Sequence, residues 1–189
     1  MTTNQLNTEQ LIGLCISGNQ SAQLEIYNRY YEAMYNTSFR IVKNSYEAED
    51  IMQDSFLLAF TKLKELKDVK TFGLWLKRIV INNSICHYKK TRKIQKVSID
   101  DVLYKVEDHS NDFNSDQELT NLKARKILNA LNTLKDNYRI ALTLNLVEGY
   151  DYNEISEIMN ITNVNCRTTI SRAKEKLRQN LQPVINFKQ

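Results

Sequence analysis

Only four glycines and one proline occur among 189 residues, and this scarcity limits the fold more than any other feature. Architectures built from many short strands need frequent tight turns. Such turns draw on glycine for positive φ and on proline for a preset φ. With so few of either, the chain is expected to be all-α, its helices joined by connections that Asn, Asp, Ser and Thr cap. Hydrophobic residues make up 42% of the chain, enough for packed cores, and the length suits one or two small domains.

Leu24, Tyr27, Tyr31, Met34 and Tyr35 recur at helical spacing and predict the buried face of a long helix. Asn44, with Glu47 three residues on, forms a capping-box pattern that opens a second helix carrying Ile51, Met52, Phe56, Ala59, Phe60 and Leu63. Thr71 is the expected cap of a third, with Phe72, Trp75, Leu76, Ile79 and Val80 facing inward. Apolar periodicity is then lost from Ile94 to Glu118. There Asp100, Asp101, Glu107, Asp108, Asp112, Asp116 and Glu118 meet only Lys96 and Lys105, the pattern of a flexible acidic linker.

Periodicity returns at Leu119 and continues through Leu122, Ile127, Leu128, Leu131 and Leu134. Asp136 or Asn137 is the expected cap of the next helix, with Ile140, Ala141, Leu144 and Val147 inward and Gly149 just past its end. Asp151 and Glu154 make another capping box before Ile155, Ile158 and Met159. After Asn160-Ile161, Thr162 caps a last helix with Cys166, Ile170, Ala173 and Leu177 inward and Pro183 at its end. The expected organisation is a helical domain over 1–93, a linker over 94–118 and a second helical domain over 119–189.

Cys15, Cys86 and Cys166 stand far apart, and none lies in a CxxC or Cys/His ligand spacing. With only His87 and His109 to join them, no metal site and no cofactor is expected. Scattered, odd-numbered cysteines suit a reducing compartment. Met1 to Gln10 lacks the basic-then-apolar order of a signal peptide, and no apolar run approaches the roughly 18 residues that span a bilayer. A cytoplasmic protein is expected. Glu49, Asp50 and Asp54 supply carboxylates, but neighbours on one helix do not converge on a substrate. No His, Ser or Cys partner stands in a recognisable motif, so no catalytic residue and no enzyme is expected.

The net charge is only +4, but the charges are blocked. Ten basic residues between Lys62 and Lys93 meet only Glu65 and Asp68. The last helix carries Arg167, Arg172, Lys174, Lys176 and Arg178 against Glu175, while Glu47, Glu49, Asp50 and Asp54 form an acidic block. A single charge run is ordinarily a solvated helix face. Two separate basic blocks fit nucleic acid, which rewards cations by releasing its own counterions.

Tyr152 to Arg178 has the layout of a helix-turn-helix. Asn160 suits a left-handed turn residue, and the second helix buries Cys166 and Ile170 while exposing Asn165, Arg167, Thr168, Ser171 and Arg172. These side chains suit a major groove, since Arg bonds guanine, Asn bonds adenine and hydroxyls bond bases or phosphate. Cys166 reads as a small core residue.

Two segments together resemble a known family. Ala48, Glu49, Asp50, Ile51, Met52, Gln53, Asp54 and Phe56, followed by Phe72, Trp75, Leu76, Arg78, Ile79 and Asn82, resemble region 2 of extracytoplasmic-function sigma factors of the sigma-70 family. Leu131 to Gln179, ending in Ser171-Arg172-Ala173-Lys174-Glu175-Lys176-Leu177, resembles region 4. The resemblance implies a sigma factor that binds RNA polymerase core and promoter DNA to start transcription. Glu49, Asp50, Gln53 and Asp54 would dock on the clamp helices of the β′ subunit. Lys77, Arg78, Asn82, Lys89, Lys90 and Arg92 would engage the minus-10 element, with Asn82 near an extruded base. Asn165, Arg167, Thr168, Ser171 and Arg172 would read the minus-35 element, and region 4 would also sit on the β flap. Family members are often held by a membrane-anchored anti-sigma factor, so that partner class is implied too.

Some positions depart from the family pattern. Lys135 stands for a usual Pro, Asn160 for Gly, Cys166 for Val, and Thr169 for a common Arg. Periodicity puts Trp75 in the core, whereas the resemblance would bring it near melted DNA. A stand-alone helix-turn-helix regulator is the competing reading. It accounts for Tyr152 to Arg178 and leaves the acidic block without a role.

Overall fold

The computed structural model describes residues 6–95 and 118–185, which form two compact units. Every element among them is helical, as the scarcity of turn formers required. The first unit holds α1 (Thr8–Ile16), α2 (Gln20–Val42), α3 (Ser45–Thr61) and α4 (Phe72–Gln95), with two 3-10 turns between α3 and α4. The second holds α5 (Glu118–Asn132), α6 (Asp136–Leu142), a π-helical turn (Thr143–Val147), α7 (Tyr152–Met159) and α8 (Asn163–Ile185).

α1 was not foreseen, although its signal is local. Asn7 accepts the amide of Gln10 at 2.8 Å, and the Gln10 side chain accepts the Asn7 amide at 3.0 Å, a full capping box. The helix contributes Leu11, Ile12 and Cys15 to the first core, where Ile26, Met34, Met52, Phe56, Phe72, Leu76 and Val80 join them. Burial pushes the Cys15 thiol up to about 11. Tyr27, Tyr31, Tyr35 and Phe39 stand in a row along α2, adjacent ring centroids 5.5 to 6.2 Å apart, half-buried at the edge of that core.

Leu24 does not join them. It is 61% exposed, because the seam of α2 runs through Ala22 and Ile26, and a residue two positions away lies about 200° round the helix. Asn44 caps α3 by accepting the Glu47 amide at 3.1 Å, but the expected capping box is only half formed, the Glu47 carboxylate lying 3.6 Å from His87 Nδ1 on α4 instead of returning to the Asn44 amide. Thr71 does not cap α4. The Asp68 carboxylate accepts the Lys70 amide at 3.0 Å and opens a 3-10 turn that runs straight into α4. Trp75 is half-buried, its ring 6.1 Å from Phe72, so it packs on the rim of the core.

In the second unit Leu131, Leu134, Ile140, Leu144, Ile155, Cys166, Ile170 and Leu177 are buried, while Ile127 is exposed. Neither Asp136 nor Asn137 caps α6; Lys135 occupies that position with φ −57° and no side-chain cap bond. The Asp136 carboxylate instead accepts from Nη2 of the buried Arg139 at 3.2 Å, because a partly desolvated guanidinium outcompetes a backbone amide for it. The π-turn, closed by the Glu148 amide on the Thr143 carbonyl at 3.0 Å, widens the helix by one residue. Val147, three positions past Leu144, is thereby rotated outward. Gly149 follows at φ +80°, the left-handed conformation foreseen for it. Pro183 does not end α8, which runs two residues further to Ile185; the missing proline amide forfeits one bond in the last turn, and the amides after it still reach back to earlier carbonyls. Of the expected linker, residues 94 and 95 belong to α4 and 118 to α5, and the rest lies outside the described residues.

Candidate nucleic-acid and partner interfaces

The acidic block is a single surface. α3 buries Ala48, Ile51, Met52, Ser55, Phe56 and Ala59, so the residues between them, Glu49, Asp50, Gln53 and Asp54, all point to solvent. Gln53 Nε2 donates to Glu49 Oε1 at 3.4 Å, joining neighbouring turns. Glu49 also lies close enough to the tyrosine row to act on it. Burial first, then Tyr31, then Glu49 hold the Tyr27 and Tyr35 phenols above the usual tyrosine range. Tyr46 and Leu57 are exposed on the same helix, 82% and 67%, and no motif or spacing in the sequence marks either.

α4 lies against both α2 and α3 and buries Phe72, Leu76, Val80, Ile81, Ser84 and Ile85. Its rotation is held by polar ties as well as packing. Asn83 Nδ2 donates to Ser55 Oγ of α3 at 2.9 Å, and the Ser84 and Ser38 hydroxyls sit 3.0 Å apart against α2. His87 Nδ1 lies 3.6 Å from Glu47 Oε2. With that rotation set, Arg78, Asn82, Lys89 and Arg92 share one exposed stripe at spacings of four, seven and three. Lys77 and Lys90 flank it on opposite sides, and Lys77 is half-buried. The Arg92 guanidinium lies 5.3 Å from the Tyr88 ring centroid.

α7 and α8 form the expected helix-turn-helix. The capping box closes with the Glu154 amide on Asp151 at 2.8 Å and the Asp151 amide on Glu154 at 3.0 Å. Asn160 takes φ 53°, ψ 55°, and Thr162 Oγ1 accepts the Asn165 amide at 3.2 Å. Cys166, Ile170, Ala173 and Leu177 make a narrow buried stripe, and burial raises the Cys166 thiol while the adjacent Arg167 lowers it by less. Asn165, Arg167, Thr168, Ser171 and Arg172 are all exposed on the first turns of α8. At this end the helix dipole favours a phosphate.

Arg167 is held in place. Its Nε donates to Asn163 Oδ1 at 2.9 Å, and its guanidinium carbon lies 5.8 Å from the Tyr152 ring centroid. Asn163 Nδ2 in turn bonds Asn153 Oδ1 on α7. The Asn163–Arg167 pair is legible as an i, i+4 spacing. The part played by Tyr152 and Asn153 is not, because it depends on how α7 crosses α8.

Comparison with known proteins agrees with this layout. The Sigma-70 region 2 family model matches residues 26–94, and the Sigma-70, region 4 model matches residues 124–177. The ECF RNA polymerase sigma factor SigW of Bacillus subtilis is 29% identical over 181 residues, covering 87% of this chain and 91% of its own. The ECF RNA polymerase sigma-E factor of Haemophilus influenzae is 25% identical, with 96% and 98% covered. Among solved structures, the sigma factor RpoE of Bartonella quintana, bound to the anti-sigma factor NepR, superposes with a TM-score of 0.61 at 21% identity, covering 84% and 95%. CnrH, in complex with the cytosolic domain of CnrY, gives 0.54 at 20%, covering 93% and 97%. The chain belongs to the extracytoplasmic-function class of the sigma-70 family and is an RNA polymerase sigma factor. That family consists of non-enzymatic initiation factors. A stand-alone regulator is not favoured, because it leaves the region 2 match unexplained.

Proposed function

We propose a division of labour among the three exposed faces. Glu49, Asp50, Gln53 and Asp54 dock on the β′ clamp helices of RNA polymerase core. Complementary charge there sets orientation and association rate more than final affinity. Arg78, Asn82, Lys89 and Arg92, flanked by Lys77 and Lys90, hold the minus-10 element, with Asn82 beside a base drawn out of the duplex. Unstacking that base costs a few kcal/mol, offset by stacking and base-edge bonds. Asn165, Arg167, Thr168, Ser171 and Arg172 read the minus-35 element, and the second domain rests on the β flap.

The observation that carries this reading is that each set lies on the solvent face of one helix, opposite a buried stripe, within segments matched by the region 2 and region 4 family models. The functional segments are 1–93 for polymerase and minus-10 binding, 94–118 as linker and 119–189 for minus-35 binding. The chain works in the cytoplasm, where polymerase is, and catalyses nothing itself. CnrH and RpoE were each solved with a binding protein, NepR being named an anti-sigma factor. We propose that this chain too is held by an anti-sigma factor until a signal releases it.

Run-off transcription with purified bacterial core polymerase on a library of random promoters tests the reading. Transcripts that require the chain, from templates sharing two spaced elements, are the expected result. Tight duplex binding with no chain-dependent transcript defeats it.

A further inference from the structure

Arginine is a costly reading side chain, because a free Arg samples many rotamers and loses that freedom when it meets a base. Arg167 has already lost much of it. Its Nε is tied to Asn163 Oδ1, and its guanidinium lies over the Tyr152 ring. Asn163 is itself oriented. Arginine has no acceptor, so the Asn163 oxygen must face Arg167 and its amide nitrogen must face away. There it meets Asn153 Oδ1, which α7 supplies. The direction of every bond in the chain follows from the one group that only donates.

We propose that Asn163 and Tyr152 are positioning residues for base reading. With Asn153 behind them, they hold Arg167 so that its two terminal nitrogens present an end-on fork to a guanine edge. Nε is engaged by Asn163, so the side-on fork of Nε with one terminal nitrogen is not offered. The remaining fork matches the O6 and N7 acceptors of guanine in a major groove. The inference rests on α8 being the minus-35 helix. It adds which base Arg167 selects and why the first helix of the motif, which need not touch a base, bears on specificity.

The test uses polymerase holoenzyme carrying this chain, on a promoter selected from the library and its single-base-pair variants at minus-35. The readout is discrimination, the ratio of initiation on the selected promoter to that on each variant. Arg167→Ala is expected to lose discrimination at one G·C pair. Asn163→Ala and Tyr152→Leu are expected to lose on the order of threefold each at that same pair, while Tyr152→Phe, which keeps the ring face, retains it. Added to Arg167→Ala, neither substitution costs anything further, since what they position is gone. Equal losses in the presence and absence of Arg167, or Tyr152→Phe behaving like Tyr152→Leu, would overturn the positioning role. So would full discrimination in Asn163→Ala beside an impaired Arg167→Ala. If Arg167→Ala itself discriminates normally at every minus-35 position, the reading of α8 falls, and this proposal with it. Melting temperatures of the variants separate these outcomes from misfolding.

Discussion

α4 and α8 are alike in length, 24 and 23 residues, and both turn cations to solvent, yet in α4 they gather towards the C-terminus, while in α8 they run from Arg167 in the second turn to Arg178 past the middle. In α4 the exposed basic residues begin at Arg78 and gather towards the C-terminus at Lys89, Lys90 and Arg92. The helix dipole stabilises cations there, and a strand would lie along the helix flank. In α8 the reading set from Asn165 to Arg172 stands at the N-terminus, directly after the turn, where a helix enters a groove end-on. Composition follows placement. The α4 set offers three lysines, mobile point charges suited to phosphate, beside Arg78, Asn82 and Arg92, whereas the α8 set has no lysine and offers Asn, Thr, Ser and Arg, which suit base edges. Under the proposed division of labour, similar charge on similar helices would serve two purposes, holding in α4 and reading in α8.

The comparison is broken most thoroughly by disabling the proposed polymerase-docking face of α3. Asp50→Lys places a cation in the acidic face and is expected to lower core-polymerase affinity at least about tenfold at low salt, with both promoter elements lost together. Equilibrium binding to core measures it, and unchanged affinity would refute the docking role. Arg167→Ala is expected to reduce minus-35 discrimination by roughly tenfold or more while core binding stays intact. Loss of core affinity in that variant would mean that α8 does not read DNA in the manner proposed. Lys89→Ala with Lys90→Ala sharpens the contrast from the other side. Holoenzyme binding should weaken uniformly across promoter sequences, and the slope of log affinity against log salt should fall by roughly 1.5. A sequence-dependent loss would show α4 reading bases through its lysines.

The smallest effect concerns the turns that set each unit's geometry. Lys43 and Asn160 both adopt left-handed backbone at the end of a helix, with φ 61° and 53°. Asparagine tolerates this and lysine does not, so Lys43→Gly should stabilise the chain by about 1 kcal/mol and Asn160→Gly by only a few tenths. Chemical denaturation measures both. Equal gains would mean that asparagine confers no advantage at the turn between α7 and α8.

Much of this was legible in the chain itself. The capping residues Asn44, Asp151, Thr162 and Asn160 did what their side chains dictate, because a cap is a contact between neighbours three or four residues apart. The buried stripe Cys166, Ile170, Ala173 and Leu177, and with it the exposed set from Asn165 to Arg172, followed from helical period alone. The acidic face of α3 followed in the same way. Local spacing failed where a competitor came from elsewhere in the fold. Asp136 was drawn to the buried Arg139 instead of capping α6, and Leu24 faced away from a seam that only the neighbouring helices define. Val147 was turned outward by a π-turn whose extra residue leaves no trace in the apolar pattern.

What the sequence by itself determined was the helical class, the two-part organisation and the chemical character of each face. These depend on backbone propensity and on periods shorter than two helical turns. Only the tertiary structure decided which way those faces are aimed. The rotation of α4 is set by Ser55 and Ser38, 28 and 46 residues away from their partners in sequence. At Gly73 a Cβ would stand 3.0 Å from the Tyr30 ring of α2, which would have to give by a few tenths of an ångström. Arg167 bonds Asn163 on its own helix, but the Tyr152 ring beside its guanidinium and the Asn153 amide behind Asn163 both come from α7. A hydrogen bond or a van der Waals contact reaches only a few ångströms, so residues distant in sequence constrain one another only after folding has brought their helices together.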